Sequence, residues 1–216
     1  MLFHLIKMGK SPILERRDKE DRISSTRTLR HRLREETSDA HQRVDDLFST
    51  LNLRTVAGLT RFARANHAAL EAIQCRPGAG AEKAKALRLE MVVALERDLE
   101  ALGAQPRATG QGRDYDATAV LYILLGSRAG TRLLHRQWSE ATDPRVAAAG
   151  SYLGSASRSD DWRDLRLDLA RRPAQGREAD AAVSDAVALF DLFGAHFRAA
   201  LSTPEHQHVR RIPANR

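Results

Sequence analysis

The chain has 216 residues, 42% of them hydrophobic, 29% charged and 5% aromatic, a balance that fits one soluble globular domain and is barely long enough for two. Its formal net charge of +7 and pI near 10.1 raise the question of a nucleic-acid partner, but the excess sits at the ends: residues 1–28 carry seven Lys/Arg against four Asp/Glu and residues 203–216 three against one, leaving +2 for the body. That placement argues against a basic binding face, a single Cys75 excludes an internal disulfide or a thiolate cage, and no run approaches the ~20 apolar residues of a membrane span.

Residues 1–28 read as an irregular or disordered N-terminal extension, charged and broken by a Pro and a Ser/Thr run. Its apolar start is too short for a secretory signal, so a cytoplasmic location is expected. From Leu29 onward, Leu29, Leu33, Ala40, Val44, Leu47 and Phe48 recur at three- and four-residue spacing. This predicts one amphipathic helix with His41 on its apolar stripe. A second helix is predicted from about Thr55 to Cys75, closed by Arg76-Pro77-Gly78, and a third from about Ala81 to Leu102, closed by Gly103. Residues 103–114 read as loop. The most apolar stretch, Ala117 to Leu125, leads through Gly126-Ser127-Arg128-Ala129-Gly130 into helical pattern as far as Trp138. Shorter helices are expected over Pro144–Ala156 and Asp160–Ala170. A long last one, from about Ala179 to Leu201, should bury Val183, Ala186, Val187, Phe190, Phe197 and Leu201. With no internal repeat and no hairpin signal, the fold class is all-α: one helical domain over 29–201, then a basic C-terminal tail, 202–216.

Two positions carry chemistry. His41 has Thr37 one turn before it and Asp45 one turn after, so one ring nitrogen can take a metal centre while a neighbour holds the other. An inward-facing His is more often a satisfied core residue than a ligand. Gly126 and Gly130 stand one turn apart inside a predicted helix, each at a cost of about 1 kcal/mol relative to Ala. A helix accepts that where a neighbour, either another helix or a flat rigid ligand, must approach its backbone closely. A glycine-rich phosphate loop would need a βαβ setting that the helical periodicity does not supply. A nucleophile elbow fails because Ser127 directly follows Gly126.

The segment Leu33-Arg34-Glu35-Glu36-Thr37-Ser38-Asp39-Ala40-His41 resembles the opening helix of haem oxygenases, with a basic residue seven and a Thr four positions before the His. The segment Leu121-Tyr122-Ile123-Leu124-Leu125-Gly126-Ser127-Arg128-Ala129-Gly130 resembles the distal helix of the bacterial, biliverdin-producing branch. Phe190 and Phe197 match a pair of aromatics, seven apart, near the end of that family's domain. The resemblance spans about residues 29–201.

It implies a haem oxygenase-like helical bundle that cleaves haem to biliverdin, iron and carbon monoxide, with haem both cofactor and substrate. His41 would supply the axial nitrogen, and Gly126, Ser127 and Gly130 would line the oxygen side. Arg34, Thr37, Tyr122, Arg163, Phe190 and Phe197 would contact the haem, Arg34 and Arg163 through its propionates. Molecular oxygen, a ferredoxin- or reductase-type electron donor and a phytochrome consuming biliverdin are the implied partners. The chain departs from the bacterial pattern at Leu125, in place of Glu, at Ala129, in place of Leu, and at Thr131, in place of a second Gly; Ser127 stands where animal members have Asp. These changes lie beside the oxygen site. They leave a second reading, a non-catalytic haem-binding or sensor protein on the same bundle, and a third, a helical scaffold that binds no haem.

Overall fold

The structure, a computed structural model, describes residues 27–107, 110, 112–130, 132–155 and 158–202. Almost all of the predicted extension and tail, and Thr131, therefore lie outside the described residues. The described chain is mostly helical: α1 (Leu29–Glu36), α2 (Ser38–Ser49), α3 (Val56–Glu71), α4 (Ala81–Ala101), α5 (Ala117–Gly130), α6 (Arg132–Ser139), α7 (Pro144–Ala148), α8 (Ser159–Arg171) and α9 (Arg177–Ser202). Two three-residue strands, β1 (Ile73–Cys75) and β2 (Arg113–Tyr115), flank α4. Among the described residues no helix is long and apolar enough to cross a membrane.

The last helix is the centre of the packing: α9 lies against α1, α2, α3 and α5. It presents Ala182, Val183, Ala186, Leu189, Phe190, Phe193 and Phe197 to the core. Phe197 is fully buried, with ring centroids 3.9 Å from Phe48 of α2 and 6.3 Å from Phe62 of α3. Leu201, expected inside, is instead exposed on the final turn.

Three departures from the periodicity have local causes. The first predicted helix is interrupted at Thr37, whose hydroxyl donates to the Leu33 carbonyl at 2.7 Å. Such a bond back to residue i−4 bends a helix without ending it, and the His41 N–H still reaches the Thr37 carbonyl at 2.9 Å. The second predicted helix stops at Glu71, because Ile73–Cys75 pairs in parallel with Arg113–Tyr115, in the register Ile73 to Arg113 and Cys75 to Tyr115. Three residues are too few for an alternation signal. Finally, the predicted 144–156 helix ends at Ala148; Asp98 of α4 accepts the Ser151 and Tyr152 N–H groups at 2.6 and 2.9 Å, holding that chain in a turn.

Buried Asp185 of α9 fastens the strand pair to the bundle. It pairs with Arg76, receives Arg113 at 2.9 Å and accepts the Asp116 N–H at 2.7 Å. Asp116 in turn caps α5, accepting the Thr118 and Ala119 N–H groups at 2.9 and 3.3 Å. A chain of carboxylates thus sets where α5 begins.

Candidate functional site

Helices α2 and α5 bracket a seam. At its head the Tyr122 hydroxyl of α5 lies beside Thr37, where α1 meets α2. At its foot Phe48 and Ser49 of α2 face Leu133, Leu134 and Gln137 of α6 across a cleft of about 300 Å³. Thr37 to Phe48 spans about 16 Å of helix. His41 lies one turn beyond Thr37, and Gly126 one turn beyond Tyr122. The two positions singled out by sequence thus each lie one turn past a residue at the head, on two different helices.

On α2 the His41 side chain keeps 19% of its surface, and its Nε2 is 3.8 Å from Oδ2 of the buried Asp45. Its ring stacks on Phe190 of α9, with centroids 5.0 Å apart and planes inclined by 30°. Phe190 thus packs on the plane of the imidazole, while Asp45 stands beyond hydrogen-bond distance of that Nε2.

On α5 the glycine face is occupied. A Cβ on Gly126 would sit 3.5 Å from the Trp162 six-membered ring, an ordinary van der Waals distance. Trp162 comes from α8 and also packs on Tyr122, with centroids 5.6 Å apart. Gly126 is thus the floor on which an indole lies. Gly130 is the last residue of α5, and its surroundings lie outside the described residues.

At the head of the seam three guanidiniums crowd together. Arg30 of α1 has its pKa lowered, first by burial and then by the charges of Arg166 on α8 and of Arg34, with Tyr122 close by. Among the described residues none of the three has a carboxylate partner, whereas Arg27, Arg32, Arg43, Arg54, Arg76 and Arg88 all do. Burial pushes the Tyr122 hydroxyl up, while Thr37, Arg34 and Arg30 act the other way. The arrangement is an uncompensated positive corner with a hydroxyl beside it, suited to a multiply charged carboxylate or phosphate ligand.

The remaining predicted residues fall elsewhere. Ser127 is buried and donates to the Leu124 carbonyl at 2.8 Å, and it meets the Tyr152 hydroxyl behind α5. Arg163 is exposed on the outer side of α8, paired with Asp160 at 3.1 Å and Asp164 at 3.3 Å. Phe197 belongs to the Phe48–Phe62 core cluster. Sequence reading missed Arg30, Arg166 and Trp162. Two spacings carry the signal for them: Arg30 and Arg34 form a like-charged i, i+4 pair, unfavourable unless something anionic joins it, and Trp162 and Arg166 share a face of α8 by the same spacing. Comparison of the chain with family models, with characterised proteins and with solved structures finds no match.

Proposed function

We propose that the chain is a haem-degrading monooxygenase on a haem oxygenase-like bundle, with haem seated in the α2–α5 seam. One observation carries the reading above all: an imidazole stacked on Phe190 and a three-arginine corner with no carboxylate partner among the described residues lie at the same end of the bundle, Arg34 about two helical turns and Arg30 about three before His41. A haem carries complementary features, a metal that takes one axial nitrogen and two propionates on one edge. The donor set fits the group. His41 would hold the metal, Phe190 would keep the imidazole plane, and Arg30, Arg34, Arg166 and Tyr122 would hold the propionates. When bound, haem supplies both the oxygen-activating centre and the carbon skeleton that is opened to biliverdin, iron and carbon monoxide.

The chain's own contribution is to bind, orient and exclude. His41 would hold the metal from α2, and Gly126 keeps α5 free of a side chain where Trp162 lies on it. Trp162 and Tyr122 keep water from the head of the seam. Ser127 acts on the helix through Leu124, so its role is to shape the backbone. Electrons would come from a ferredoxin- or reductase-type donor, and a phytochrome is a fitting consumer of the biliverdin.

A second reading, haem capture without turnover, has its own observation: the indole of Trp162 lies where the distal backbone would otherwise be open. Titrating haem into the purified protein, recording the absorption spectrum, then adding reductant and oxygen separates the two. Near one-to-one binding with a single-histidine spectrum and release of biliverdin is the expected result. Binding without biliverdin in the presence of a competent donor leaves the capture reading, and no binding removes both.

A further inference from the structure

Behind the glycine face of α5 the structure holds a closed polar cluster. Successive helical residues turn by about 100°, so Ser127 and Arg128 point away from Trp162 and toward the turn at 150–155. Arg128 is buried, and its Nη1 donates to the Tyr152 carbonyl at 2.8 Å. Its guanidinium lies 5.0 Å from the centre of the Tyr152 ring. The Tyr152 hydroxyl meets the side chains of both Ser127 and Arg128. From α4, Asp98 grips the Ser151 and Tyr152 N–H groups, and from α3 the Phe62 ring packs edge-on, 5.9 Å away. Arg128 and Asp98 are the charged groups facing this tyrosine.

Burying a guanidinium, a carboxylate, a phenol and a hydroxyl together is costly unless all are satisfied, and apolar side chains would pack the same space at less cost. What such a network supplies is direction. Apolar contacts let a helix roll or slide by a fraction of an ångström, whereas hydrogen bonds to a fixed turn do not. Here the directed contacts converge on the residues that follow Gly126.

We propose that Tyr152 is a positioning residue for the distal segment: with Ser127 and Arg128 it fixes the roll and height of α5, so that the Gly126 backbone stands at a constant distance from a ligand in the seam. The inference rests on the haem reading for the ligand, but the mechanical part does not depend on it.

The test uses Tyr152→Phe, which removes one oxygen and keeps the ring, and Arg128→Lys, which keeps charge but loses the planar fork. In the haem-free full chain, hydrogen exchange of the amides at 124–130 should quicken by about tenfold in both variants, with α1 and α2 unchanged. In the ferric haem complex, both variants should bind haem within about threefold of the parent. The midpoint of the acid–alkaline spectral transition, which senses distal polarity and backbone proximity, should move by about one pH unit. Unchanged exchange at 124–130 in Tyr152→Phe overturns the positioning role whether or not haem binds. Faster exchange in a protein that binds no haem keeps the positioning role and removes the haem reading. Faster exchange with an unmoved midpoint overturns the claim that this positioning reaches the ligand.

Discussion

The six-membered ring of Trp162 lies on the bare backbone of Gly126, its nearest atom 3.5 Å from where a Cβ would stand. That spacing admits a methyl group, so packing on Trp162 does not require the glycine. Gly126→Ala is therefore expected to stabilise the haem-free protein by up to about 1 kcal/mol through helix propensity. The same change should weaken haem binding or biliverdin formation if the bare backbone serves a ligand. Melting temperature and single-turnover product, measured on one sample, check this. A loss of stability would show that the glycine serves packing alone.

The arginine corner should show the same opposition between stability and binding. Arg34 is exposed near Arg30, whose charge it opposes together with Arg166, and has no ion pair among the described residues. Arg34→Gln should raise the stability of the haem-free chain by about 0.5 kcal/mol, the scale of exposed charge effects, and weaken haem capture, most clearly at low salt. Denaturant midpoints and haem titrations at two ionic strengths measure both. A variant that binds haem as tightly as the parent at low salt would remove Arg34 from the propionate role.

His41 is expected to be replaceable from outside. His41→Ala should lose the single-histidine spectrum while keeping its helical circular dichroism, since the side chain faces a seam and is not part of the Phe48–Phe62–Phe197 cluster. Added imidazole should restore much of the spectrum by entering the space beside Phe190. An unaltered spectrum in the alanine variant would show that another group holds the haem.

A pH effect belongs to α9. Burial holds the His196 imidazole below its ordinary value of 6.5. As pH falls through that value the unfolded chain takes up the proton before the folded one does, so stability declines with acidification. His196→Gln should flatten that part of the profile. Urea midpoints collected from neutral to mildly acid pH would reveal it, and parallel curves for the two proteins would contradict it.

How much of this was legible beforehand follows from the range of the forces involved. Helices such as α4 and α9 bury one face along many turns, and periodicity marks them to within a few residues. The pairing of Ile73–Cys75 with Arg113–Tyr115 is carried by three residues on each side and by Asp185, some 70 residues further on, and no local pattern announces it. His41 and Gly126 were visible because a polar group on an apolar stripe and a glycine inside a helix are each locally unfavourable. Arg163 and Arg166 are alike in sequence, because only the path of α8 shows which arginine turns toward Arg30 of α1. Phe190 and Phe197, equivalent in sequence, separate only when α9 is in place, one against His41 and the other in the core.

Because α9 is made after the other described helices yet contacts α1, α2, α3 and α5, the order of synthesis runs against the order of assembly. A ribosome that has released residues 29–176 has delivered the seam, the arginine corner and both strands without the element that supports them. Until Phe190 and Phe197 emerge, the inner sides of the earlier helices have only one another to cover them, which is the condition under which nascent chains recruit chaperones or aggregate. Stop codons or frameshifts upstream of residue 177 should therefore yield no trimmed but functional protein, only polypeptide for the proteases.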